Sequence, residues 1–194
     1  MSLLARLRSK SDDAWHRLVL VFSPVVYGWA TRAGLQDSDA ADLSQEVFAA
    51  VYGQIDRFEK TETSGTFRGW LYGITRNQIL LRFRKLGREP RAEGGSTALD
   101  RLHQSPDATA VAHELPETLQ GSDAKETEVT ITHRCSELVR GEFEARTWAA
   151  FEAVVVGGRK PADVAADIGL SVGAVYVAKS RVLKRLREEL DGLI

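Results

Sequence analysis

The chain has 194 residues, 43% of them hydrophobic and 27% charged, with a formal net charge of -1, which is room for one or two domains that each bury a core. Its lone Cys135 excludes an intrachain disulfide and any multi-cysteine zinc site. No apolar run approaches the roughly 20 residues that span a bilayer, and Met1–Ser11 lacks the apolar centre of a signal peptide, so a soluble cytoplasmic protein with no membrane partner is expected.

The near-neutral total hides an uneven spread. Residues 1–91 carry 14 Lys and Arg against 10 Asp and Glu, residues 92–144 carry 4 against 11, and residues 145–194 carry 8 against 6. Two mildly basic ends flank an acidic middle.

Apolar residues recur at helical spacing along most of the chain, and no convincing alternating strand appears. Asp12 or Asp13 can cap a first helix that turns Trp15, Leu18, Val19, Phe22, Val26 and Trp29 inward. Pro24 lies inside that pattern and predicts a bend or break. Gly34 ends the helix, and Ser38 or Asp39 can cap the next, which buries Leu43, Val47, Ala50 and Val51. Within Asp39–Tyr52, the acids Asp39, Asp42 and Glu46 are spaced by three and four residues and so line one polar face, a solvated face or a docking face. Glu59–Gly65 reads as a polar loop. Phe67–Leu86 is a third long helix, carrying Trp70, Leu71 and Ile74 as core and Arg68, Arg76, Arg82 and Arg84 as cations.

From Arg91 to about residue 138 turn and linker residues prevail, with Gly94-Gly95-Ser96 and Ser105-Pro106-Asp107 among them. An acidic flexible linker over 92–138 is expected, with one short helix near Ala98–His103. Glu126–Thr132, where Val129 and Ile131 alternate, reads as ambiguous and open to a short extended segment. Helical spacing returns at Glu144–Val156, with Trp148, Phe151 and Val155 as its stripe. A proline-started helix at Pro161, a turn at Gly169, a serine cap at Ser171 and a long basic helix then make a helix-turn-helix. In that last helix Val175, Ala178, Val182, Leu186 and Leu190 form the core stripe. The opposite face shows Gly173, Tyr176, Val177, Ser180, Arg181, Lys184 and Arg187, while Lys179 lies near the stripe and snorkels. His16, His103, His113 and His133 are scattered, and no phosphate-cradling loop precedes a helix. Neither an enzyme, a cofactor nor a metal site is expected.

Two blocks in this order, Asp-Ala-Ala-Asp-Leu-Ser-Gln-Glu-Val-Phe over 39–48 and Phe-Arg-Gly-Trp-Leu-Tyr-Gly-Ile-Thr-Arg-Asn over 67–77, resemble the second conserved region of the extracytoplasmic-function sigma factors of bacterial RNA polymerase. The helix-turn-helix resembles their fourth region. The resemblance covers about 1–90 and 139–194. It implies an all-α fold of two helical domains: a three- or four-helix bundle over 1–91 and a helix-turn-helix domain over 139–194, joined by the long acidic linker.

The resemblance further implies that Asp39, Asp42, Gln45, Glu46 and Phe48 dock on core RNA polymerase. It puts Phe67, Arg68, Arg76, Asn77 and Arg84 on the promoter's minus-ten element. Ser171, Gly173, Tyr176, Val177, Ser180, Arg181 and Lys184 then fall on the minus-thirty-five element. Asn77 can hydrogen-bond a base edge, while arginines on phosphates position without reading. Leu81 and Arg82 depart from the usual Asp-His or Asn-Tyr pair, and Tyr176 and Ala178 replace basic residues of the last helix. An anti-sigma factor is implied as a further partner. Thr61, Thr63 and Ser64 also offer hydroxyls to a Ser/Thr kinase, and the acidic stretch can compete with DNA for the basic faces. The rival readings are a stand-alone helix-turn-helix regulator that binds DNA without polymerase, and a polymerase-binding adaptor without promoter specificity.

Overall fold

Among the described residues, which in this computed structural model are 2–9, 11–58, 66–86 and 121–194, every regular element is a helix. In chain order these are α1 (Leu3–Arg8), α2 (Asp12–Arg32), α3 (Asp37–Gln54) with a 3-10 turn at Ile55–Arg57, and α4 (Phe67–Leu86). After them come α5 (Gly121–Arg140), α6 (Ala145–Val155), α7 (Pro161–Ile168) and α8 (Val172–Leu190). The fold is all-α. It divides into two compact units, Phe22–Thr127 and Met1–Val21 with Glu128–Ile194.

In the unit Phe22–Thr127, α3 packs on α4 through the apolar stripes that their sequences carry. Leu43, Val47 and Val51 of α3 and Phe67 and Leu71 of α4 are fully buried. Aromatic rings make the centre: Phe67 meets Phe22 edge-on at 5.3 Å and Phe58 at 5.5 Å, and Trp70 lies 5.1 Å from Phe58. Trp29 stands edge-on to Tyr72 at 5.1 Å and donates its indole N–H to Thr127 Oγ1 at 3.3 Å. The buried hydroxyls are satisfied locally, Ser44 donating to the Ala40 carbonyl and Thr75 to that of Leu71.

In the other unit, Ala150, Val164, Ala165, Val175 and Ala178 form one apolar cluster, and Val139, Trp148, Phe151 and Val182 form a second. Pro161 starts α7, and Gly169 ends it at φ 67°, a left-handed conformation that a Cβ would strain. Ser171 caps α8, its hydroxyl accepting from the Ala174 N–H at 3.1 Å. The axes of α7 and α8 differ by 104°, the wide turn that a helix-turn-helix requires.

Several expectations are corrected. α1 precedes the helix expected first; Ser2 caps it, and Leu3, Leu4 and Leu7 are buried. α2 runs through Pro24 without a break. A helix-interior proline costs about 3 kcal/mol. Val21, Phe22, Val25 and Val26 around it are all at least 96% buried, and each contributes roughly 1.5–3 kcal/mol. The carbonyl to which Pro24 cannot donate is that of Leu20, a residue that is 44% exposed. α3 starts two residues earlier than its expected cap: Gln36 is the capping position, without a side-chain bond, and Ser38 and Asp39 lie in the first turn.

Residues 121–138, read as the end of a linker, are helical, and Glu126–Thr132 is not extended. Thr127, Ile131, Cys135 and Val139 recur every four residues and are all buried, while Val129 is 62% exposed. Period four therefore prevails over the apparent alternation of Val129 and Ile131. Val155 is exposed rather than part of the α6 core. On α8 the buried stripe continues from Val182 to Glu189, with Leu186 and Leu190 only partly covered. The loop 59–65, with Thr61, Thr63 and Ser64, and the helix expected near Ala98–His103 lie outside the described residues.

Candidate functional site

The first constellation is the acidic face of α3. Leu43, Val47 and Val51 turn one side of this helix into the core, so the residues between them face outward. Asp42, Gln45 and Glu46 are exposed and Asp39 is half-buried, which puts four of the five expected docking residues on one accessible side. Phe48 is not among them: at 7% exposure it belongs to the core. The three acids converge on one guanidinium from α4. Arg82 donates to Asp39 Oδ1 at 2.8 Å and to Glu46 Oε1 at 3.3 Å, and lies 3.5 Å from Asp42. Hydrogen bonding to Asp39, with the added charge of Glu46 and Asp42, raises the Arg82 pKa despite partial burial. Arg82 was legible in the sequence only as a departure from the family pattern, because nothing local reports a partner 36 to 43 residues away.

The second constellation lies along α4. Asn77 and Arg84 are exposed and Arg76 is partly so. Phe67 is fully buried in the aromatic centre and offers no free ring to a base. An aromatic at the start of α4, with Phe58 and Trp70 beside it, gains more by packing than by exposure. Arg68 is half-buried, and its Nη1 donates to the Ala124 carbonyl of α5 at 3.2 Å, so part of its donor set is spent on holding the bundle. Tyr72 is buried, which raises its phenol pKa.

The third constellation is the outer face of α8. Ser171, Gly173, Tyr176, Val177, Ser180, Arg181 and Lys184 are all exposed, the two large apolar members at 56% each. Val175, Ala178 and Val182 are buried on the opposite side. The seven expected residues thus share one side of a helix anchored by its own core. Ser171 spends its hydroxyl as the cap. Apolar groups at the start of this face and cations at its end have the order needed to meet base edges first and phosphates after.

Sequence reasoning missed a fourth feature. Glu189 is fully buried on the last turn of α8, where Arg185 Nη1 lies 2.7 Å, Arg6 Nη2 3.2 Å and Arg17 Nη1 3.4 Å from its carboxylate. Glu142 joins them, accepting from Arg185 at 2.6 and 2.9 Å and from Arg17 at 2.8 Å. Burial alone would raise the Glu142 pKa, but the hydrogen bonds from Arg185 and Arg17 outweigh it and hold it below the usual carboxylate range. Cys135 sits nearby in charge terms: burial, reinforced by Glu189, pushes its thiol up to about 12, which makes it a core residue rather than a reactive one. Among the described residues no group of His, Cys, Asp and Glu could hold a metal ion, and no single helix is long and apolar enough to cross a membrane.

Comparison with known proteins bears on these faces. Residues 18–89 match the Sigma-70 region 2 family, a span that contains α3 and α4. ECF RNA polymerase sigma factor SigE of Mycolicibacterium smegmatis is 37% identical over 75 residues, 39% of this chain and 28% of SigE. ECF RNA polymerase sigma factor SigD of Mycobacterium tuberculosis is 28% identical over 169 residues, 84% of this chain and 67% of SigD. The match therefore spans little more than a quarter of SigE and two thirds of SigD. The solved structure of CnrH in complex with the cytosolic domain of CnrY aligns over 97% of this chain and 95% of its own at 23% identity, with a TM-score of 0.37, too loose a superposition to add to the fold. A region 2 match centred on the acidic and basic helices, and a SigD likeness that extends well beyond it, agree in direction: the chain is similar to ECF RNA polymerase sigma factors, through region 2 above all.

Proposed function

We propose that this chain binds core RNA polymerase in the cytoplasm and directs it to specific promoters. Asp42, Gln45 and Glu46, with Asp39 behind them, form the docking face. The helix α4 serves the minus-ten element: exposed Asn77 can reach a base edge, and Arg76 and Arg84 can meet phosphates. The α8 face reads the minus-thirty-five element, with Tyr176 and Val177 toward bases and Arg181 and Lys184 toward the backbone. In this reading residues 1–91 carry polymerase docking and promoter opening, and residues 139–194 carry upstream recognition. An anti-sigma factor that covers the docking face belongs to the same proposal.

The observation that carries it is the shared exposure of the α8 residues in a chain whose residues 18–89, α3 and α4 among them, match Sigma-70 region 2. In this reading initiation comes from positioning: the protein supplies contacts and polymerase supplies catalysis. The test is transcription in vitro with purified core polymerase on a library of genomic fragments. Specific start sites are expected with the wild-type chain, and their loss with Asp42→Lys/Glu46→Lys, which reverses charge on two exposed positions. Specific DNA binding by the chain alone, unaffected by core polymerase, would instead indicate a stand-alone regulator.

A further inference from the structure

Three carboxylates on successive turns of α3 share one cation, and that cation comes from the helix assigned to promoter contact. Arg82 is 20% exposed in its side chain, while those of Asp42 and Glu46 are 64% and 49% exposed. One positive charge against three negative ones leaves the face with a net charge of about -2. The guanidinium lies among the three, its Nη2 directed to Asp39 and Asp42 and its Nη1 to Glu46. A second cation bonded to Asp42 or Glu46 at ordinary hydrogen-bond length would therefore stand within about 6 Å of the Arg82 charge. It would share the carboxylate and be repelled at the same time.

We infer that Arg82 is an intramolecular counterion of the docking face, competing with the basic surface of the polymerase for Asp42 and Glu46. Asp39 is the acid that Arg82 claims most fully, with the shortest contact and the least exposure of the three. Asp39 thereby ties α3 to α4, and Asp42 and Glu46 remain for docking. The alternative effect, that Arg82 strengthens docking by ordering the acids, is small for Asp42 and Glu46. Both are set by their places on a helix already fixed through Leu43 and Val47, and at 3.5 and 3.3 Å they are held more loosely than Asp39. Arg82 thus acts as an internal competitor that limits how tightly the free chain associates with polymerase. The position where this sequence departs from its family pattern acquires a role in affinity.

The inference rests on the docking reading above, and the experiment separates the two. Dissociation constants for the full-length chain and core polymerase are measured by fluorescence anisotropy from roughly 0.05 to 0.5 M salt, a range over which the Debye length falls from well above to well below 10 Å. Arg82→Gln, which stays polar but is shorter and loses the charge, is expected to bind about three- to tenfold tighter at low salt, with the gap closing at high salt. Arg82→Lys, which keeps the charge and protects the fold, is expected to shift in the same direction by a smaller factor. Circular dichroism confirms that each variant is folded. Arg82→Gln that is folded and binds no tighter than wild type, while Asp42→Lys/Glu46→Lys loses binding, overturns the inference and leaves the docking face standing. Wild-type binding by Asp42→Lys/Glu46→Lys overturns both.

Discussion

At the scale of single residues, Glu189 is the position where charge and burial are most at odds. Its carboxylate is fully buried, and the arginines around it, Arg6, Arg17 and Arg185, are each about one-fifth exposed. Taking a carboxylate out of water costs several kcal/mol, and only good geometry to several partners offsets it. Glu189→Gln keeps the shape and removes the charge, leaving three arginines with only Glu142 and the more exposed Asp13 to balance them. A loss of about 3 kcal/mol is expected, at the lower end of the range for a broken buried pair because the arginines retain some water. Denaturant unfolding measures it; a change below about 0.5 kcal/mol, the scale of an ordinary surface substitution, would show that the cluster does not act as a unit. Periodicity did mark this position, since Glu189 lies seven residues after buried Val182 and so on the same face. What misleads is its charge, which makes a surface place the natural assignment until Arg6 and Arg17, partners from distant sequence, are known beside its helical neighbour Arg185.

Among elements, α8 joins a buried core stripe to the face proposed for recognition most plainly. Its inner residues anchor it through Val175, Ala178 and Val182, so outer-face substitutions should leave the fold intact. Arg181→Ala or Lys184→Ala is expected to weaken holoenzyme binding to the promoter by about 1–3 kcal/mol if the side chain reads a base. A phosphate contact would instead weaken all sequences alike and lower the salt slope by about one. Transcription from promoters with and without the upstream element distinguishes these outcomes, and unchanged activity of both variants on both templates would remove α8 as the reader. The helix-turn-helix was legible because its punctuation is chemical and local: Pro161 at a start, Gly169 at a left-handed end, Ser171 at a cap. The helix α5 was harder to read. Its buried row includes Thr127 and Cys135, which are weakly apolar, and it lies in the most acidic part of the chain.

For the molecule as a whole, the ionic cluster makes stability depend on pH in a stated direction. Glu142 has a folded pKa below its ordinary 4.5. A depressed carboxylate contributes stability that is present above the unfolded value and lost as pH falls through the folded one. Stability should therefore hold near neutrality and decline below about pH 4.5. Glu142→Gln lacks this contribution, so the gap between it and wild type should narrow as pH is lowered toward roughly 3. Urea midpoints for the two proteins at a series of pH values test this, and a constant gap would show that Glu142 does not titrate with folding. The structure also refines how the acidic stretch should be probed. A deletion reaching Thr127 and Ile131 would remove buried residues of α5, so one confined to 94–118 is the one that asks whether the acidic residues compete with DNA.

The sequence by itself determined the helical class, most of the stripes of α3 and α4 (Ala50, Trp70 and Ile74 are only partly buried), the helix-turn-helix and the outward face of α8. These depend on spacing along one helix and on caps and turns, which act over a few residues. Only the tertiary structure decided that Phe67 and Phe48 are core, that α2 passes through Pro24, that Arg82 belongs to the acids of α3, and that Glu189 is buried among arginines from both ends of the chain. In each case the deciding interaction joins residues far apart in sequence. An amphipathic pattern states that a face will be covered but not by what, and a charge states that it needs a partner but not which one.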